Sequence, residues 1–235
     1  MYKGKTFLAI IPARGGSKRL PRKNVLDFCG KPLIAHTIES SLNSNYIDKV
    51  IVSSDDKEIL DISEKFGADL IKRPKELGSD FATTFDTVKH VIENTQIRYD
   101  YIILLQGTSP LRNESHIDDA IELLYLKKAD AIISVCEMEH SPLWSNTLDD
   151  TLSMENFLKE EILDKRSQDL AKYFRLNGAI YISDREKLIE EKSFMLKKNI
   201  FAYKMSKEYS IDIDDKFDFM IAKMIKEIKN DKRNN

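Results

Sequence analysis

Cysteine is scarce in this chain: Cys29 and Cys136 are the only two among 235 residues. They lie far apart, show no metal-ligand spacing, and are not needed as a disulfide in a domain this size, so a reducing compartment is expected. No apolar run approaches the roughly 20 residues of a membrane-spanning helix. Met1-Tyr2-Lys3-Gly4-Lys5 leads straight into an apolar stretch, without the hydrophobic region and cleavage site of a signal peptide. Together these absences predict a cytoplasmic protein. Net charge is nearly missing too, at −2 from 37 basic and 39 acidic residues. Such a balance is not that of a surface built for nucleic acid or an anionic membrane. The four histidines form no cluster with cysteine and no serine–histidine–aspartate spacing. His36 and His90 read as packing or surface residues, His116 as part of a helix's first turn, and His140 as part of an irregular segment. There is no internal repeat and no low-complexity tract.

What is present is an alternation of strand-length apolar runs with amphipathic stretches. Strands are predicted at 6–13, 49–53, 69–72, 101–105, 131–136, 178–183 and 200–205. Helices are predicted at 32–44, with Leu33, Ile34, Ile38 and Leu42 inward, at 56–66 ending on Gly67, and at 84–95. A further helix is expected to 126, capped by Ser115 with Asp118 three residues on. The last is placed at 216–228, with Phe217, Met220, Ile221, Met224, Ile225 and Ile228 on its apolar side and a frayed tail from 229 to 235. The unbroken apolar run at 101–105 suits a strand buried on both faces. The pattern predicts one α/β domain over 1–235, a doubly wound and mostly parallel sheet with ligands at the strands' carboxyl ends. The rhythm fails between 137 and 174, a stretch holding Pro142 and the only tryptophan, Trp144. So long a segment is expected to be an insertion with short elements of its own, an arm for self-association displaying Leu143, Trp144 and Phe157.

Chemistry concentrates in four places. The run from Ile10 to Asn24 carries an apolar strand into a loop with Gly15, Gly16 and five cations: Arg14, Lys18, Arg19, Arg22 and Lys23. Glycines let backbone N–H groups approach an anion and the cations neutralise it, so a polyphosphate is the expected ligand. Asp212 and Asp214 alternate along an extended segment and share a face, with Ile211 and Ile213 turned to the core. Two carboxylates together need a cation, and Mg²⁺ with phosphate oxygens fits them, while Asp215 complements the dipole of the last helix. Gln106 is delivered to the sheet edge by a central strand, and its amide suits hydroxyl, amide or carboxylate groups. Arg175 and Asn177 precede a buried strand and read equally as a carboxylate clamp or, for the arginine, a structural ion pair. Arg73 reads equally as a nucleotide contact or a surface cation.

Seven stretches in order resemble the acylneuraminate cytidylyltransferases, or CMP-sialic acid synthetases. They are IIPARGGSKRLPRKN (10–24), GKPLIAHTIESSL (30–42), VIVSSDD (50–56), KRPKELGSDFATT (72–84), LLQGTSPLR (104–112), FRLNGAIYI (174–182) and SIDIDD (210–215). The resemblance implies a Rossmann-like nucleotidyltransferase that joins CTP to a nine-carbon 2-keto-3-deoxy sugar acid, with Mg²⁺ as cofactor. It implies Arg14, Lys23 and Asp214 as catalytic groups. Ala13, Gly15, Gly16, Ser17, Lys18, Asn24, Arg73, Ala82 and Thr84 would join Arg14 and Lys23 around the nucleotide. Gln106, Arg166, Arg175, Asn177 and Tyr181 would contact the sugar acid, and Asp212 and Asp214 would hold the metal. In this family the irregular segment crosses into a partner, which implies a homodimer. Ser167 stands where relatives carry arginine, with Arg166 one residue earlier, and Trp144 where a lysine can occur. Legionaminic and N-acetylneuraminic acid therefore both stay open as acceptors. A cytidylyltransferase for the eight-carbon keto-deoxy acid of lipopolysaccharide shares the first loop, and a non-catalytic nucleotide-binding homologue is the third reading. LLQGTSPLR and SIDID favour the sialic branch.

Overall fold

The central strand, β1 (Phe7–Ala13), is apolar along its length because helices cover both of its faces. Phe7, Ala9 and Ile11 enter one core layer, and Leu8 and Ile10 enter the other. The computed structural model describes residues 1–79 and 82–234, so Asp80 and Phe81 of the 72–84 stretch lie outside the described residues. After β1 comes a short hairpin of β2 (Asp27–Phe28) and β3 (Lys31–Pro32), then α1 (Leu33–Leu42), β4 (Lys49–Ser54), α2 (Lys57–Lys65) and β5 (Asp69–Lys72). The chain continues through α3 (Thr84–Glu93), β6 (Tyr101–Leu104), α4 (Glu114–Lys127) and β7 (Ala131–Glu137). It ends with β8 (Phe174–Asp184), α5 (Arg185–Glu191), β9 (Ile200–Lys204) and α6 (Lys216–Asn234).

Among the described residues seven strands form one sheet, ordered β5-β4-β1-β6-β8-β7-β9. All neighbours are parallel except β8, which runs against both β6 and β7. Ile34, Ile38, Ile117 and Ile121 bring α1 and α4 onto one face, while Val88, Val91 and Leu188 bring α3 and α5 onto the other. At about 1.5–3 kcal/mol for each large apolar side chain fully buried, these two layers dominate the stabilisation. The predicted α/β fold is the observed one.

Several local expectations need correction. Helix α4 is capped by Asn113, whose Oδ1 accepts the His116 amide at 3.2 Å while His116 Nδ1 accepts the Asn113 N–H. Asp118 is drawn away to Ser44 Oγ at 2.5 Å and the Asn45 amide at 3.2 Å, so it fixes a loop rather than a cap. Leu42 is exposed. Helix α6 buries Ala222 and packs Phe219 and Ile225, leaving Phe217, Met220, Met224 and Ile228 outside. It also stays helical to Asn234, past the expected fraying point; Asn235 lies outside the described residues. Helix α5 and the β2–β3 hairpin were not foreseen, both being short.

Between β7 and β8 the backbone holds only short 3-10 turns: Pro142–Trp144, Glu160–Ile162 and Ser167–Asp169. Leu148, Leu152, Met154 and Leu163 stand exposed on it. Because β8 reverses direction, this segment leaves and re-enters the sheet at one edge. That edge is the one where β1, β4 and β6 end, and the Met138 amide donates to the Tyr173 carbonyl at 2.9 Å across its base.

Candidate active site

At that carboxyl edge lies a cleft of about 610 Å³. Arg14, Ser17, Lys18, Arg19, Lys23 and Asn24 line it from the first loop, with Ala13 at the end of β1. Arg73, Ala82, Thr84 and Thr87 face it from the β5–α3 side, and Gln106, Gly107, Thr108 and Asp214 from the other. Among the described residues its charged lining consists of five cations (Arg14, Lys18, Arg19, Lys23, Arg73) and one carboxylate, Asp214. A cavity so unbalanced is built for a multiply charged anion.

Carboxylates at the start of α2 hold the first loop. Asp56 caps that helix by accepting the Ile59 amide at 3.1 Å, and its other oxygen accepts Arg22 Nη1 at 2.6 Å. Burial alone would raise this carboxyl, but those partners hold it below its ordinary value. Arg22, in the left-handed region at φ 60°, also pairs with Glu58. Gly15 is a glycine for a different reason from the one expected: a Cβ there would stand 2.6 Å from Asp56 Oδ2. Gly16 is exposed, with open space where a side chain would be. Asn24 Nδ2 donates to the Arg14 carbonyl at 3.1 Å and braces the loop from inside.

Lys23 joins this loop to the acidic segment. Its buried ammonium donates to the Ile213 carbonyl and lies 3.5 Å from Asp214 Oδ1, while Arg19 Nη1 reaches Asp214 Oδ2 at 3.1 Å. Ile213 is fully buried, as its alternation required, and Asp212 and Asp214 project away from it. Asp215 caps α6, accepting the Phe217 and Asp218 amides at 2.8 and 3.0 Å. The two carboxylates differ in environment. Asp214 is half exposed, whereas Asp212 has a buried Oδ1 without a partner. Burial pushes the Asp212 carboxyl up, against the Thr108 hydroxyl that bonds it. An orphaned carboxylate oxygen beside a second carboxylate is a donor set that fits Mg²⁺ shared with phosphate oxygens. Among the described residues no group of three or more histidine, cysteine or acidic side chains forms a denser metal cluster.

Gly178 closes the site from β8. It has φ +74°, and a Cβ on it would come within 3.1 Å of both Asp212 Oδ2 and Gln106 Oε1. Tyr181 lies near Asp212, partly buried against Phe194 at 6.0 Å between rings, and burial raises its phenol. Arg175 is exposed, donating to the Leu176 and Ser210 carbonyls at 3.4 Å; it does not line the cleft. Arg166 stands on the arm, paired with Asp169 at 3.0 Å, and does not line the cleft either.

Asn177 sits apart from the other expected contacts, inside the sheet. It is 1 % exposed, its Oδ1 accepts the Ser134 hydroxyl at 2.6 Å and its Nδ2 donates to Ser210 Oγ at 2.9 Å. The reason is a break in register: β7 advances from Ile133 to Val135 while β8 advances from Tyr181 to Leu176. Asn177 and Ser134 satisfy the backbone of that bulge, as the Ala179 and Ile180 amides confirm at 3.2 and 2.8 Å. Sequence reasoning missed Asp55, Asp56 and Arg112. The last is a fully buried arginine donating to the Ala179 carbonyl at 2.9 Å and the Gln106 carbonyl at 3.4 Å. Burial brings its guanidinium down to about 9. The VIVSSDD and LLQGTSPLR stretches contained all three, but nothing local named their partners.

A cytidylyltransferase family model matches residues 8–233. The N-acylneuraminate cytidylyltransferase of Escherichia coli O18:K1:H7 is 38% identical over 225 residues, covering 95% of this chain and 53% of that protein. The chain thus spans about half the length of that relative. It spans nearly all of two others, each 35% identical and 97% covered: the pseudaminic acid cytidylyltransferase of Campylobacter jejuni and the CMP-N,N'-diacetyllegionaminic acid synthase of Legionella pneumophila. The fold is shared with a CMP:2-keto-3-deoxy-manno-octonic acid synthetase solved in complex with CTP. The TM-score is 0.72 at 19% identity, with 95% of this chain and 99% of that one covered.

Proposed function

The chain belongs to the cytidylyltransferase family, and from that premise we propose that it joins CTP to a nine-carbon 2-keto-3-deoxy sugar acid, releasing pyrophosphate and a CMP-sugar. The observation that carries this reading is the cleft's lining, among the described residues, of five cations against one carboxylate, at the carboxyl edge of a mostly parallel sheet. A triphosphate supplies the missing negative charge. Arg14 and Lys23, with Lys18 beside them, neutralise it so that the acceptor's anomeric hydroxyl can approach the α-phosphorus in line. Ala13, Gly15, Gly16, Ser17, Asn24, Arg73, Ala82 and Thr84 surround the nucleotide. Gln106 and Tyr181 meet the sugar acid from the β6–β8 side, and Arg175, outside the cleft in this structure, would turn inward to join them.

Asp212 and Asp214 would hold Mg²⁺, which when bound supplies Lewis-acid stabilisation of the charge growing on the phosphate oxygens. Lys23 sits between the phosphate loop and this pair, and through the Ile213 carbonyl it fixes the distance between the two halves of the site. In this reading the 137–174 segment docks on a second copy, which gives Arg166 a route to an acceptor across a homodimer. Use of CTP also carries a cytoplasmic location.

Incubation with CTP, Mg²⁺ and a panel of N-acetylneuraminic, legionaminic, pseudaminic and 2-keto-3-deoxy-manno-octonic acids tests the proposal by pyrophosphate release and product mass. Turnover with at least one nine-carbon acid is expected. Silence across the panel, or activity with the eight-carbon acid alone, would refute it. Asp214→Ala is expected to lower turnover by about a hundredfold or more while the protein stays folded, because the residue is exposed and gives up a ligand rather than core volume.

A further inference from the structure

Behind the lining of the cleft, between the first loop and Arg73, stands Asp55. Its side chain is only 20% exposed. One oxygen, Oδ1, faces both the Gly15 amide at 3.3 Å and Arg73 Nη2 at 3.5 Å. The surrounding backbone is shaped to admit it, since a Cβ on Gly78 would lie 2.7 Å from its carboxyl carbon. Arg73 is placed there by the sheet: its amide donates to the Ser54 carbonyl at 2.9 Å, just beyond the β4–β5 pairing. The guanidinium is 4% exposed, bonds Thr87 Oγ1 through Nη1 at 3.3 Å, and keeps a buried Nε with no protein partner. Asp55 is the carboxylate that compensates this buried cation, and through Gly15 it also touches the loop that carries Arg14 and Lys23.

We propose that Asp55 is a positioning residue that orients Arg73 toward the nucleobase and ties that orientation to the phosphate loop, so that one carboxylate sets both ends of the nucleotide site. This rests on the reading of the cleft as a CTP site. A guanidinium held by one edge has its remaining donors fixed in direction, which suits the adjacent O2 and N3 acceptors of cytosine, where uracil presents an N3–H donor, rather than mere attraction to charge. Loss of the carboxylate frees Arg73 to turn toward the phosphates, where its charge still attracts but no longer discriminates.

Asp55→Asn keeps the side chain's size and removes its charge. Titration calorimetry with CTP, UTP and inorganic tripolyphosphate is expected to show about tenfold weaker CTP binding and a reduced preference for CTP over UTP, the loss of one charge-assisted contact. Tripolyphosphate binding should change much less. Arg73→Met is expected to weaken CTP binding strongly in the native background and only slightly further in Asp55→Asn, since the two act as a unit. Asp55→Ser carries the same expectations should the asparagine variant fold poorly. Unchanged CTP-over-UTP preference in a folded variant, or additive effects of the two substitutions, would overturn the proposal. Failure of the native protein to bind CTP at all would instead overturn the reading of the cleft.

Discussion

At the scale of single residues, His36 offers a measurement independent of the site. It is 5% exposed, its Nε2 lies 2.7 Å from the Phe28 carbonyl, and its ring meets Phe28 edge-on at 5.0 Å. Burial pushes its imidazole down to about 4 from 6.5. Between those values the unfolded chain takes up a proton that the folded protein refuses, so stability falls as pH drops from 6.5 toward 4. The loss is up to about 3 kcal/mol. His36→Gln cannot titrate, and urea unfolding across that window should show a flatter dependence on pH than the native protein; identical slopes would refute the assignment. Single residues were also where sequence reasoning reached its limit. Arg73 read equally as ligand or surface because its partner, Asp55, lies on a different loop. Asn177 showed the same limit, since a polar residue before a buried strand gives no hint that a register break will engage its amide with Ser134 and Ser210.

At the scale of elements, the strands and most helices were legible because both faces of the sheet are covered, which makes apolar runs unambiguous. Helix ends were less so: Asn113 and Ser115 are both good caps, and only the reciprocal bond to His116 decides between them. Helix α6 misled because six apolar residues fit one broad stripe, yet the protein uses only part of it. The bulge in β8 carries the sharpest prediction at this level. Gly178→Ala would hold a side chain at φ +74° and crowd Asp212 and Gln106. It should cost about 1–2 kcal/mol and lower the melting midpoint by a few degrees. It should also depress turnover more than that loss of stability explains. A variant as stable and active as the native protein would show that the close approach has no consequence.

At the scale of the whole molecule, two exposed apolar surfaces stand out: the segment with Leu148, Leu152, Met154 and Leu163, and the α6 stripe of Phe217, Met220, Met224 and Ile228. The homodimer proposed above gives them a use, and light scattering on the eluting protein should return twice the chain mass. Trp144 is the only tryptophan and lies half-buried in that segment, so its emission should shift to the red as the protein is diluted through the dissociation range. Monomer mass at micromolar concentration would exclude the dimer. The segment's short turns explain why it was visible in the sequence only as a loss of rhythm: it has no apolar periodicity because it makes no layer of its own.

The paired ends of that segment have one more consequence. Since Met138 and Tyr173 meet at hydrogen-bond distance, the excursion between them begins and finishes at nearly the same point. It contributes no net displacement to the path of the chain. Residues can be added to it or removed for only a small change in closure entropy, leaving the frame of the sheet undisturbed. The segment can therefore change in length and composition while the cleft at its foot stays fixed.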